Sequence, residues 1–275
     1  MQHFFYQVGG HGQKNSGNFG MLVDGNKILK PLQPSGRGQR ELDFYVEVYD
    51  KNNKNEDLFL LRSFLSHFYG ERKVEVDGKI MSYIVLENAA AGFQKPCIVD
   101  LKMGRQTYEP DAPLEKKNKE ETKYPIQSES GFRFVGMKIF NPKTETYDSY
   151  ERTFGYLLTI EKFFDAFKLF FSSGLFESGS LQAKVKLMET LIEKLRSVQA
   201  FFKRQHLYRF YSSSILIIYE GDACSESAEK VEVRLIDFSH VCAIQEKDGI
   251  DEGYLYGLNK LLSILFNVVL DIKGS

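Results

Sequence analysis

The stretch Pro96-Cys97-Ile98-Val99-Asp100-Leu101-Lys102-Met103-Gly104 constrains this chain more than any other. Small and branched apolar residues run between a proline and a glycine, the pattern of a buried strand. A period of two puts Asp100 and Lys102 on one face, about 7 Å apart, and Val99, Leu101 and Met103 on the other. A carboxylate and an ammonium inside an apolar run are costly unless paired or used. The strand alone leaves two readings of equal standing: a structural ion pair at a strand end, or two functional groups reaching into one cleft.

The chain has 275 residues, 43% of them hydrophobic. That is enough for a large core, as one domain or a two-lobed unit. Lysines and arginines number 36 against 37 acidic residues, for a net charge of -1. No global field therefore points to nucleic acid or a membrane surface, and an anionic ligand would need a local basic cluster. Cys97, Cys224 and Cys242 are odd in number and lack metal-ligand spacing, which suggests a reducing compartment and no zinc site. Met1-Gln2-His3-Phe4-Phe5 lacks the basic and apolar regions of a signal peptide. Charges break the apolar runs before about 18 residues, so no membrane-spanning segment is expected. These features describe a globular protein of the cytosol or nucleus.

Phe4 to Val8 reads as a strand, followed by the glycine-rich stretch Gly9 to Gly20. Gly12 and Gly17 have Walker spacing, but Asn18 stands where lysine is required, and no G-x-G-x-x-G forms. This stretch is either a flexible turn or a lid over phosphates. Asp24-Gly25 and Asp77-Gly78 each separate two apolar runs and signal hairpins. Helical patterns begin at Gly38, cover 56–69 with Leu58, Leu61, Leu65 and Phe68 on one face, and recur at 151–172 and 180–206. Ser180 is a natural N-cap for the last. The phenylalanines between 163 and 171 read as core.

The pattern P-x-x-x-D-x-K-x-G over 96–104 resembles the signature of the inositol polyphosphate kinases. Further segments similar to that family follow in order. Glu41-Leu42-Asp43-Phe44-Tyr45 resembles its E-x-x-F-Y pattern, and Arg105 to Ala112 resembles its continuation of the central strand. Gly131-Phe132-Arg133-Phe134-Val135-Gly136-Met137 is similar to G-F-R-x-x-G-M. Ser213-Ser214-Ile215-Leu216 is similar to S-S-L-L, with isoleucine for the first leucine, and Ile236-Asp237-Phe238 matches I-D-F. Asp251 to Leu261 resembles the closing helix. The resemblance covers most of the chain. It implies an α+β, two-lobed, protein-kinase-like fold. Residues 1–87 would form a small antiparallel N-lobe. Residues 88–275 would form a larger mixed C-lobe with the catalytic strand, an inositol phosphate-binding segment at 112–125 and the metal site.

The resemblance also implies roles. Lys30 would grip ATP phosphates, with Glu41 as its ion-pair partner, although a lone strand-end lysine is usually solvated. Backbone groups of Glu87 and Ala89, at a kinase-like hinge, would bind adenine. Asp237 would hold Mg²⁺ and thereby nucleotide, as an acidic residue after an apolar strand suits a hard cation. Lys102 would contact the γ-phosphoryl group and the acceptor. Asp100 would be a base or a ribose and substrate anchor. Lys116, Lys117, Lys119 and Lys123 are candidates to hold the inositol phosphate, set against a solvated helical face. His240 is a candidate substrate contact, set against a structural histidine. Arg133 is read as a pairing residue.

The implied activity is ATP- and Mg²⁺-dependent phosphoryl transfer to an inositol polyphosphate by a monomer, without nucleic acid partners or stable membrane insertion. The insert between Pro113 and Pro125 is too compact for a large restrictive lobe. That favours inositol hexakisphosphate as acceptor, giving a diphosphoinositol pentakisphosphate. A trisphosphate 3-kinase or a multikinase is the alternative acceptor class. A nucleotide-binding pseudokinase scaffold is the alternative from another functional class, and a phosphoinositide-binding module is disfavoured.

Overall fold

The computed structural model describes residues 2–9, 20–76, 78–224, 228–246 and 249–274. Gly10 to Phe19, most of the glycine-rich stretch, and Asp77 of the second hairpin signal lie outside these residues.

The first third of the chain builds an antiparallel five-stranded sheet with two helices. Its elements are β1 (Gln2–His3), β2 (Leu22–Asp24), β3 (Lys27–Pro31), α1 (Arg37–Tyr49), α2 (Glu56–Arg62), β4 (Phe68–Val76) and β5 (Lys79–Glu87). The strand order is β1-β2-β3-β5-β4. Both expected hairpins form. Asp24 pairs with Lys27 across Gly25, whose φ of 60° is the left-handed geometry such a tight turn needs. Val76 pairs with Lys79.

The remainder begins with β6 (Pro96–Met103), α3 (Leu114–Lys123), α4 (Gln127–Ser130), β7 (Phe132–Asn141) and β8 (Thr146–Tyr150). Four helices follow: α5 (Arg152–Leu157), α6 (Phe163–Phe170), α7 (Leu175–Ser178) and α8 (Leu181–Arg204). Then come β9 (Tyr208–Phe210), β10 (Ser214–Glu220), β11 (Val231–Ile236), β12 (Val241–Ala243) and α9 (Glu252–Gly274). The second sheet runs β11-β10-β6-β7-β8, all antiparallel, and places β6 at its centre. The architecture is α+β, as expected from the sequence, with two five-stranded antiparallel sheets and a small antiparallel pair of β9 with β12.

On β6, Val99, Leu101 and Met103 are fully buried in the main core with Phe167, Leu191 and Leu261. This core also takes in Leu42, Phe44 and Tyr45 of α1, so one apolar mass joins the two sheets. The helix α8 starts as the sequence suggests, with the Ser180 hydroxyl accepting from Ala183 N at 3.2 Å. Its buried stripe, Leu187, Met188, Leu191, Leu195 and Val198, follows helical spacing and packs along α9. The Phe202 and Tyr254 rings stack 4.1 Å apart between these two helices.

Four expectations are corrected. The helix begun at 56 stops at Arg62, and Phe68 instead opens β4, because it pairs with Leu86 across the sheet. The 151–172 pattern splits into α5, a 3-10 turn at Ile160–Lys162 and α6. There Leu158 is extended, and its carbonyl accepts from the Tyr124 hydroxyl at 3.2 Å. Phe4 to Val8 is not a strand. It leaves β1 and crosses to the second sheet, where the Phe5 and Tyr6 rings each lie 5.6 Å from Tyr147. Finally, α9 is long and apolar enough by composition to cross a membrane. Here Leu258, Leu261 and Leu265 are fully buried in the core, so it serves as a core helix.

Candidate active site

The face of β6 opposite the main core makes the floor of a cleft. Strand pairing sets Lys102 beside Ser214, Asp100 beside Leu216 and Ile98 beside Ile218, and sets Ser214 beside Ile236 of β11. Two connected cavities lie over this floor. One, of about 70 Å³, is an apolar slot lined by Phe4, Tyr6, Ile28, Leu86, Ala89, Leu216 and Ile218. The other, of about 320 Å³, is lined by seven lysines and arginines against four carboxylates. Gln7, Val8, Met21, Lys30, Ile236 and Asp237 border both. A local excess of positive charge thus exists in a chain whose net charge is near zero.

Lys30, on β3, donates to Glu41 Oε1 at 2.7 Å and to Asp237 Oδ1 at 2.5 Å. Burial works against its charge, but the two carboxylates outweigh it and hold the ammonium above the ordinary lysine pKa. Glu41, 2% exposed, also accepts from Phe238 N at 3.2 Å. One carboxylate on α1 therefore fixes both the lysine and the backbone beside Asp237. Asp237 follows β11 with φ of 66°, a left-handed conformation that aspartate tolerates better than most residues. Burial raises its pKa, yet Lys30 and then Lys102 bring it below the usual carboxylate value.

Asp100 is 4% exposed, and its Oδ1 has no hydrogen-bond partner. Burial first, and the Asp237 charge second, push its carboxyl up to about 7. Lys102 donates to the Ser212 carbonyl at 2.6 Å and to the Ser212 hydroxyl at 3.0 Å. Burial lowers its pKa, against the pull of Asp237 and Asp100. Two carboxylates of opposed acidity and two ammonium groups thus share one cavity.

The segment that crosses from β1 approaches Asp100 closely. Gly9 has φ of 70°, and a Cβ there would sit 2.7 Å from Asp100 Oδ2. A Cβ on Gly136 of β7 would sit 2.9 Å from Gly9 N. The backbones cross only because both residues are glycine.

The remaining sequence candidates divide. Lys116 and His240 line the cavity, both bonded to Glu109 behind them: Lys116 at 2.6 Å to Oε2, and His240 through Nδ1 to Oε1. Burial opposes the Glu109 charge, but Lys116 and His240 overcome it and bring its pKa to about 2. Burial lowers the pKa of His240 despite the pull of Glu109. Lys123 lines the cavity and bonds Glu120 at 3.1 Å. Lys117 and Lys119 do not line it; the Lys117 ammonium donates outward to the Pro110 carbonyl at 2.6 Å. Ala89 lines the apolar slot, whereas Glu87 stands outside the lining. The Glu87 N–H donates to the His67 carbonyl at 2.8 Å, and its carboxylate accepts from His67 N at 3.3 Å.

Arg133 pairs as expected, donating to Gln127 Oε1 at 2.8 Å, but it also lines the cavity. Gln7, Arg37, Glu120, Arg152 and Tyr156 line it as well, and sequence reasoning missed them. Only the basic type of the two arginines could have signalled them.

Among the described residues no cluster of three or more metal-ligating side chains occurs, and the partly exposed Asp237 carboxylate on the cavity wall is too little for an all-protein metal cage. It does suit a hard divalent cation that completes its shell with phosphate oxygens and water.

A family model described as inositol polyphosphate kinase matches residues 83–266. The inositol polyphosphate multikinase of Mus musculus is 33% identical over 221 residues, 79% of this chain and 53% of that protein. Inositol polyphosphate multikinase alpha of Arabidopsis thaliana is 30% identical over 279 residues, 96% of this chain and 94% of that one. Inositol hexakisphosphate kinase 1 of Mus musculus is 31% identical over 243 residues, 73% and 54% respectively. The chain thus spans about half the length of its mammalian relatives and nearly all of the plant one. The inositol phosphate multikinase Ipk2 of S. cerevisiae, solved with ADP and Mn²⁺, superposes with a TM-score of 0.71 at 27% identity. The match covers 89% of this chain and 100% of that one. On this sequence similarity and this shared fold, the chain is a member of the inositol polyphosphate kinase family.

Proposed function

We propose that this protein transfers the γ-phosphoryl group of ATP to an inositol polyphosphate. The observation that carries the reading is the convergence of Lys30, Asp100, Lys102 and Asp237 where an apolar slot meets a cationic cavity. The slot suits a flat heteroaromatic base, and the cavity suits phosphates and an anionic ring. The yeast relative was solved with ADP and Mn²⁺, which supports a nucleotide and a divalent cation as ligands here.

In this mechanism Ala89 and the apolar slot seat adenine, and Lys30, held by Glu41, meets the phosphates. Asp237 would hold Mg²⁺. When bound, the metal neutralises charge on the transferring phosphoryl oxygens. Asp100, half-ionised near neutral pH, takes the proton of the attacking hydroxyl as the new P–O bond forms. The bond between the γ-phosphorus and the bridging oxygen breaks, and its electrons leave with ADP. Lys102 stabilises the charge developing between the two. If the acceptor group is already a phosphate, no base is needed and Asp100 only positions it. His240 and Lys116, braced by Glu109, and Lys123 with Arg133 hold acceptor phosphates.

Multikinases and hexakisphosphate kinases match this chain at similar identity, so the acceptor must be argued from the pocket. The single ten-residue helix α3 leaves the cavity without a bulky lobe, which admits a heavily phosphorylated ring such as inositol hexakisphosphate. Glu120 on the wall points instead to a multikinase-like acceptor that keeps hydroxyls. We further propose a monomer acting in the cytosol or nucleus. Incubation with Mg-ATP and each of inositol trisphosphate, pentakisphosphate and hexakisphosphate tests the function. Phosphoryl transfer to at least one is expected. ATP binding without transfer to any would leave a nucleotide-binding scaffold.

A further inference from the structure

Of the four carboxylates lining the larger cavity, three belong to the transfer machinery: Glu41 and Asp237 grip Lys30, and Asp100 faces Lys102. The fourth, Glu120 on α3, has no such role. Its Oε1 accepts from Lys123 at 3.1 Å, while its Oε2 accepts from the Thr107 hydroxyl at 3.0 Å and lies 3.7 Å from the Arg133 guanidinium. Glu109 is a contrasting case, because it braces Lys116 and His240 from behind and is not part of the lining. Glu120 thus presents negative charge on the wall itself, beside two of the cations that an anionic acceptor would use.

Such a carboxylate does two things to a polyphosphorylated ring. It repels a phosphate placed next to it, and like charges brought together across an interface are strongly unfavourable. It also accepts hydrogen bonds from hydroxyl groups, and a site built to bond a hydroxyl discriminates sharply against analogues that lack it. We propose that Glu120 sets the acceptor class, selecting an inositol phosphate that turns a free hydroxyl, not a phosphate, towards the Glu120 carboxylate, while its phosphates meet the neighbouring cations. This rests on the kinase reading above. It is discrimination by a repulsive group as well as by attraction. The carboxylate is well suited to stay ionised: burial opposes its charge, but the contacts with Lys123, Thr107 and Arg133 keep its pKa below the usual glutamate value. The simpler alternative is that Glu120 is only a counter-ion, released whenever any phosphate arrives.

The test compares wild type with Glu120→Gln and Glu120→Asp, using Mg-ATP with inositol trisphosphate and with inositol hexakisphosphate. Glutamine is isosteric and keeps an acceptor for Thr107. The expected result is that wild type favours the trisphosphate. Glu120→Gln should then raise the hexakisphosphate-to-trisphosphate ratio of kcat/KM by about tenfold or more, with KM for ATP unchanged. Glu120→Asp, which keeps the charge, should stay near the wild-type ratio. Glu121→Gln is the control, since Glu121 bonds the Tyr108 hydroxyl away from the lining and its loss should not move the ratio. Calorimetric titration of both inositol phosphates into Glu120→Gln gives a second readout, in which only the hexakisphosphate should bind more tightly. A counter-ion would shift both acceptors alike, so a ratio that moves less than about twofold overturns the proposal. Wild type that transfers to neither acceptor, nor to the pentakisphosphate, would sink the kinase reading itself.

Discussion

Lys30 and Asp237 lie 207 positions apart in the chain and are joined by a 2.5 Å ion pair that ties the small sheet to the large one. Glu41 completes the bridge at 2.7 Å and is 2% exposed. Removing Lys30 leaves that buried carboxylate without its cation. Lys30→Met is expected to destabilise the fold by about 3 kcal/mol, at the low end for a broken buried pair because Asp237 is partly solvated. The double variant Lys30→Met, Glu41→Leu should recover much of the melting temperature but none of the ATP affinity. Melting curves and nucleotide titration read the two effects separately, and full ATP affinity in either variant would remove Lys30 from the nucleotide site.

Lys102→Ala and Asp237→Asn should each lower turnover by about a thousandfold or more, as loss of charge stabilisation in phosphoryl transfer requires. Asparagine is the right replacement at 237, because it tolerates a φ of 66° as aspartate does. Circular dichroism should stay native-like. Wild-type-like turnover in either variant would refute the assigned roles.

Asp100 gives a pH signature. Its carboxyl is pushed up to about 7 by burial and then by Asp237, against about 3.9 in an unfolded chain. Between these values the folded protein holds a proton that the unfolded chain has released. The stability contributed by this group therefore falls as pH rises from about 4 to about 7. Asp100→Asn should remove that dependence from melting curves. With a hydroxyl acceptor, kcat/KM should climb about tenfold per pH unit below 7 and then level, and Asp100→Asn should be about 10²- to 10⁴-fold slower and flat. A wild-type rate independent of pH between about 5.5 and 8 would reduce Asp100 to positioning.

Glu109→Gln should loosen Lys116 and His240 together, since both bond its carboxylate. KM for the inositol phosphate is expected to rise about tenfold, the effect of an orienting partner, while KM for ATP stays constant. A change confined to ATP would place Lys116 and His240 outside the acceptor site.

Gly9→Ala would set a methyl group 2.7 Å from Asp100 Oδ2 and 2.8 Å from Val135 Cγ1 at a positive φ. Overpacking and backbone strain together predict a loss of about 2 to 4 kcal/mol, unless the 4–9 segment lifts off. Lifting should show as weaker ATP binding at nearly unchanged stability. Neither change would mean that the segment does not hold this position in solution.

Some of this was legible in the chain. The period-two alternation of β6 foretold which side chains enter the core, because strand geometry is local. Ser180 announced α8 for the same reason. The lysines of α3 show where such reading stops. No residue of that helix is buried, so its periodicity carries no information about direction. Glu109 draws Lys116 inward and the Pro110 carbonyl holds Lys117 outward, and both partners lie outside the helix. Residues 4–8 depart from the expected strand because their apolar character suits an aromatic pad on Tyr147 as well as a strand.

By itself the sequence determined the central strand β6, the two hairpins, the capped helix and the family motifs, all of which depend on near neighbours along the chain. Tertiary structure alone decided that Lys30 meets Asp237, that Glu87 turns to His67, and that Glu120 stands on the cavity wall beside Arg133. These contacts join residues from separate elements. Their formation depends on how the sheets and helices pack, which no local pattern of residues encodes.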